Sequence, residues 1–144
     1  MSLSVPPTSG PSARAPRILL VDDDPVILRA VRRLLLGARP SWAIDVADSA
    51  KAALLLLESR TYDVAMTDLH MPVQDGLQLL SRLETEHPTV MRVLHSSHLE
   101  AAAEPQVRGL AHAVVVKGRP EELVEVLEWA LGERRRRVPD SIGF

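Results

Sequence analysis

Five short apolar runs, most of them closing on a residue able to do chemistry, constrain this chain more than anything else in it. Ile18-Leu19-Leu20-Val21 runs into Asp22-Asp23-Asp24, and Val64 to Thr67 runs into Asp68. Val90 to Leu94 runs into His95-Ser96-Ser97, and Ala113 to Val116 into Lys117; Trp42 to Val46, interrupted by Asp45, is a further run of strand length. Near-continuous apolar runs this short read as strands buried on both faces, as in a parallel sheet. Helical patterns separate them. Asp24-Pro25 offers an N-cap and a proline for the first helical position. The helix that follows is expected to reach about Leu36, present Ile27, Leu28, Val31, Leu34 and Leu35 on one face, and stop at Gly37. Asp48 or Ser49 caps a second helix carrying Leu54, Leu55 and Leu57. Asp75-Gly76 opens a third, with Leu79, Leu80 and Leu83. The last starts near Pro120 and buries Leu123, Val126, Leu127, Ala130 and Leu131. Pro105 and Gly109 interrupt the stretch between the fourth and fifth strands, so a short or irregular helix is expected there. Strands alternating with helices imply an α/β fold: a doubly wound five-stranded parallel sheet with helices on both faces.

A chain of 144 residues, 46% apolar and 25% charged, fits one globular domain. Pro6, Pro7, Pro11 and Pro16 among Ser, Thr and Gly mark residues 1–16 as a flexible leader. The domain is expected over 17–133. Residues 134–144 read as a basic C-terminal tail, with Arg134 to Arg137 at a helix end where the dipole favours cations. The chain has no Cys, so a metal must be held by oxygen or imidazole. A net charge of -2 gives no reason to expect a nucleic-acid partner. No apolar run spans a membrane and no signal-peptide core is present, so a cytoplasmic location is expected.

In an open parallel sheet, ligands bind beyond the carboxyl ends of the strands. The topology therefore gathers Asp22, Asp23, Asp68, Ser96 and Lys117 at one edge. Crowded carboxylates repel one another, and a hard cation such as Mg2+ relieves that repulsion through oxygen ligands and water. A carboxylate left accessible beside the metal can attack phosphorus and form an acyl phosphate. An ammonium and a hydroxyl can then hold the phosphoryl oxygens. His95, His98 and His112 have no metal-ligand spacing.

Two segments carry a resemblance. Ile18 to Pro25, ILLVDDDP, looks like the first strand and acidic turn of the receiver domains of two-component response regulators. Asp63 to Gly76, DVAMTDLHMPVQDG, resembles that family's phosphorylation loop. Ser96 and Lys117 stand where the family has its hydroxyl and its lysine, and the likeness runs over about residues 16 to 133. The resemblance implies a flavodoxin-like fold and a phosphoacceptor at Asp68. It implies Mg2+ bound directly by Asp23, through water by Asp22, and by Asp68 and the backbone carbonyl of His70. Ser96 and Lys117 would contact the phosphoryl group. The donor would be a histidine kinase or phosphotransfer protein, and the chain would not itself be a metabolic enzyme.

The chain departs from the pattern at three places. Gly118 follows Lys117 where the family has proline after a cis bond, so a trans bond is expected. Val114 occupies the position of an aromatic switch residue. Pro105 shortens the fourth helix. The departures at Val114 and Gly118 motivate an alternative, a receiver-like interaction module not regulated by phosphorylation. A second alternative is a haloacid-dehalogenase-like phosphatase, since Asp22, Asp24 and Val26 fit its D-x-D-x-[TV] opening; it leaves the Asp68 loop unexplained. No DNA-binding region follows within the chain, so output is expected through a protein target, and two copies could pair as a homodimer through the fourth and fifth elements.

Overall fold

The computed structural model describes residues 14–69, 76–97 and 104–138. His70, Asp75 and His98, singled out above, lie outside the described residues. The elements are β1 (Arg17–Val21), α1 (Pro25–Ala38), β2 (Ala43–Ala47), α2 (Ala50–Ser59), β3 (Val64–Thr67), α3 (Gly76–Glu86), β4 (Met91–Ser96), α4 (Pro105–Leu110), β5 (Ala113–Val116) and α5 (Pro120–Arg137). The strands form one parallel sheet in the order β2-β1-β3-β4-β5. The fold is the expected flavodoxin-like α/β sandwich.

Side chains alternate across the strands and build a core on each face. Ile18, Leu20, Val64, Met66, Met91 and Val93 pack against Leu28 and Leu35 of α1 and Leu123, Leu127 and Leu131 of α5. Leu19, Val21 and Ala65 face the other way, onto Ala53 and Leu57 of α2 and Leu79 and Leu83 of α3. Burial of each of the Leu, Ile, Val and Met side chains contributes about 1.5–3 kcal/mol, and two-sided burial is why β1 and β3 read as unbroken apolar runs. A third cluster, Leu69, Leu80, Leu94 and Val107, takes in Val114 from β5.

Local signals set most helix ends. The Asp24 side chain accepts from the Val26 N–H, and Ser49, not Asp48, caps α2 by accepting from Ala52. Gly37 does not stop α1, which runs one residue further to Ala38. The stop comes from Pro40, whose ring disfavours helical geometry at Arg39; Arg39 lies at φ -136, ψ 79. β4 extends past Leu94 to Ser96. α5 continues to Arg137, so the arginine run forms its last turn. Leu55, expected with the apolar face of α2, is exposed.

Candidate functional site

β1 and β3 lie side by side in the sheet, with β2 beyond β1 and β4 beyond β3. The chain therefore leaves β1 in one direction and later returns past it, and the crevice at that reversal is the usual ligand site of such sheets. Asp22 follows the last residue of β1 and Asp68 the last of β3. The Asp68 N–H donates to the Val21 carbonyl at 2.9 Å, which fixes the two turns together. Asp22 is 3% exposed and Asp68 9%, while Asp23 is exposed.

One carboxylate oxygen from each of Asp22, Asp23 and Asp68 lies within 4.8 Å of the others. Asp22 Oδ1 accepts from the Asp24 N–H at 2.9 Å. Asp22 Oδ2 is buried, and its partner among the described residues is the Lys117 ammonium, which donates to it at 2.8 Å. Three carboxylate oxygens converging on one crevice, two of them from buried residues, form an all-oxygen ligand set suited to a small hard cation. The residues present therefore fit Mg2+. Asp24 takes no part, because its side chain caps α1.

Lys117 comes in from β5. Its backbone N–H donates to the Ser96 carbonyl at 2.7 Å, and its ammonium reaches both Asp22 Oδ2 and, at 3.2 Å, Asp68 Oδ1. No peptide bond among the described residues is cis, and Gly118 turns the chain at φ 89, a conformation glycine adopts without strain. The departure from Lys-Pro thus leaves the reach of the lysine intact. Burial opposes the Lys117 charge, but contact with Asp22 and the charge of Asp68 outweigh it and hold the ammonium above its usual range. Ser96 is 2% exposed and ends β4. Leu94 is in register with Thr67, so Ser96 stands at the same edge as Asp68.

The histidines are placed otherwise. His95 is buried on the opposite side of its strand from Ser96, and together with Lys117 it lines an apolar groove of about 280 Å³ between α1 and α5. Burial and the nearby Lys117 charge push its pKa down to about 4. His112 Nδ1 accepts from the Arg92 N–H at 2.9 Å, at the far end of the sheet.

Two residues near Asp68 have roles that the sequence reading did not assign. Gly76, read as a turn and helix start, approaches Asp68 so closely that a Cβ would fall 1.9 Å from the Asp68 carbonyl oxygen. Thr67, read as the end of an apolar run, is fully buried and its hydroxyl donates to that same oxygen at 3.0 Å. A glycine at the first turn of a helix was the visible signal for the first; nothing in the pattern distinguished the second.

Sheet order, acidic crevice and bridging lysine together define a signalling receiver, and the chain belongs to the response regulator receiver domain family, whose model matches residues 18–128. It is a phosphoacceptor module of two-component signalling. It is 40% identical over 131 residues to the gliding motility regulatory protein of Myxococcus xanthus, covering 88% of this chain and 16% of that protein. Among solved structures it resembles the signal receiver domain of an HD domain-containing protein from Pseudomonas fluorescens (30% identity, TM-score 0.77, 85% of this chain and 99% of that one). It also resembles the response regulator TrrA of Thermotoga maritima in complex with Mg2+-BeF (26% identity, TM-score 0.75, 81% and 99%). The chain spans 16% to 32% of the length of the first three curated relatives it matches. No helix among the described residues is long and apolar enough to cross a membrane.

Proposed function

We propose that Asp68 is the residue that receives the phosphoryl group. Asp22, Asp23 and Asp68, with the backbone carbonyl of His70, would hold Mg2+, and Lys117 and Ser96 would contact the phosphoryl oxygens. The observation that carries this reading is the Lys117 ammonium set between Asp22 and Asp68 at 2.8 and 3.2 Å. A cation in that position neutralises the attacking carboxylate's surroundings and is ready to pair with an incoming phosphoryl oxygen. An Asp68 oxygen attacks phosphorus, the bond from phosphorus to the donor breaks, and the donor leaves with the electron pair. With a phosphohistidine donor that bond is P–N, and the departing imidazole takes its proton from solvent. The bound metal supplies further charge neutralisation at the phosphoryl oxygens. The partner upstream is a histidine kinase or a phosphotransfer protein; the partner downstream is a protein bound differently by the two phosphorylation states. The chain contributes a phosphoacceptor rather than a turnover site of its own.

The test is chemical localisation. The protein is treated with Mg2+ and acetyl phosphate, reduced with borohydride, which converts an aspartyl phosphate to homoserine, and digested. Homoserine at position 68 is expected. Homoserine at Asp22 or Asp23 instead would overturn the assignment.

A further inference from the structure

Asp68 is held through the peptide groups on both sides of its Cα. Its N–H donates to the Val21 carbonyl at 2.9 Å, on the strand that carries Asp22. Its carbonyl oxygen receives the Thr67 hydroxyl at 3.0 Å. The first residue of α3 is backed against this carbonyl: the Gly76 N–H donates to the Leu69 carbonyl at 2.7 Å, and Gly76 leaves no room for a side chain above the Asp68 oxygen. Thr67 itself is 0% exposed, so water does not compete for its hydroxyl. The direction in which the Asp68 carboxylate leaves its Cα follows from the orientation of the two peptides that flank it, Thr67–Asp68 and Asp68–Leu69. A buried hydroxyl donated to the carbonyl of the very residue that must attack fixes the second of these.

We propose that Thr67 is a positioning residue for phosphoryl acceptance: its hydroxyl holds the Asp68 peptide so that the carboxylate points into the Asp22–Lys117 crevice. The inference rests on Asp68 being the acceptor. Its rival is a hydroxyl that merely satisfies its own need for a partner on burial, and the two differ in what removing it does. Thr67→Val keeps the shape and removes the donor; Thr67→Ser keeps the donor.

The experiment measures the rate of phosphoryl adduct formation by intact mass, on the full chain, across a range of acetyl phosphate concentrations at saturating Mg2+, with melting temperatures in parallel. Thr67→Val is expected to lower the maximal rate roughly three- to tenfold, the scale of one lost hydrogen bond. The acetyl phosphate concentration for half-maximal rate should stay the same, and Thr67→Ser should restore the rate whether or not it restores the melting temperature. A Thr67→Val protein that melts lower but is labelled at the wild-type rate overturns the positioning role. If valine prevents folding, the Thr67→Ser and Thr67→Ala pair isolates the hydroxyl, and equal rates for these two overturn it as well. Labelling that persists in Asp68→Asn overturns the acceptor assignment itself, a different failure from unchanged kinetics in a Thr67 variant.

Discussion

Lys117 is the side chain on which the site's electrostatics turn, since it is the cation between two carboxylates that face each other across the crevice. Removing it leaves Asp22 and Asp68 in mutual repulsion. Lys117→Ala should therefore bind Mg2+ at least as tightly as the wild type, because a competing cation is gone, while phosphorylation by acetyl phosphate slows by about tenfold or more. Isothermal titration with Mg2+ and adduct kinetics measure the two effects; weaker metal binding in the variant would contradict this view of the lysine. The histidines give a pH prediction. The folded-state pKa of His95 is about 4 against an ordinary 6.5, chiefly through burial and then through Lys117. Below the ordinary value the unfolded chain binds a proton that the folded chain refuses. The stability this histidine contributes is thus complete above about pH 6.5 and is lost as pH falls towards about 4, a loss on the order of 1–2 kcal/mol between pH 7 and 5. His112, held down by burial and by the charge of Arg92, adds to the loss with the same sign. Urea unfolding across that range should show the decline, with a shallower slope in His95→Leu; an unchanged slope would remove His95 from the account.

At the scale of elements, Asp63, just before β3, ties together β1, the segment that leads into it, and α5. Its carboxylate accepts from the β1 amide of Arg17 at 2.8 Å and pairs with Arg14 at 2.8 Å and with Arg134 of α5 at 3.0 Å. Arg134 also donates to the Thr89 carbonyl just before β4. Asp63 is 7% exposed. Asp63→Asn leaves two guanidinium groups facing each other without their anion, and a cost on the order of 2–3 kcal/mol is expected. Hydrogen exchange should rise both at residues 14–17 and in the last turn of α5; a rise at neither would contradict the arrangement. None of this was legible in the sequence. Asp63 looked like one more residue of the phosphorylation loop, and Arg134 like part of a solvated helix end, because the partners lie 49 and 71 positions away in the chain. The central strands and the major helices were legible, since two-sided burial leaves apolar runs such as Ile18 to Val21 and local caps such as Asp24 mark helix starts. The misplaced boundaries have local causes: Pro40 rather than Gly37 ended α1, and β4 kept its pairing with β5 through Ser96.

For the whole molecule, sheet order accounts for the site. Asp22, Asp68, Ser96 and Lys117 come from four strands, and the order β2-β1-β3-β4-β5 brings those strand ends to one edge. Their meeting could be read in advance because each follows a strand and a parallel sheet puts all strand ends on one side. Their contacts could not, since whether Lys117 followed by glycine still reaches Asp22 depends on the turn at Gly118. Val114 packs into the cluster of Leu69, Leu80, Leu94 and Val107, so the third layer of the core is filled by an aliphatic side chain at that position. The central claim is that one carboxylate, Asp68, accepts the phosphoryl group with the help of a divalent cation. The direct measurement is intact-mass analysis of wild type and Asp68→Asn after acetyl phosphate treatment, each with Mg2+ and with a chelator. A single phosphoryl adduct on wild type with Mg2+, and on none of the other three samples, is the expected result. An adduct on Asp68→Asn, or an equal adduct on wild type with the metal removed, would contradict it.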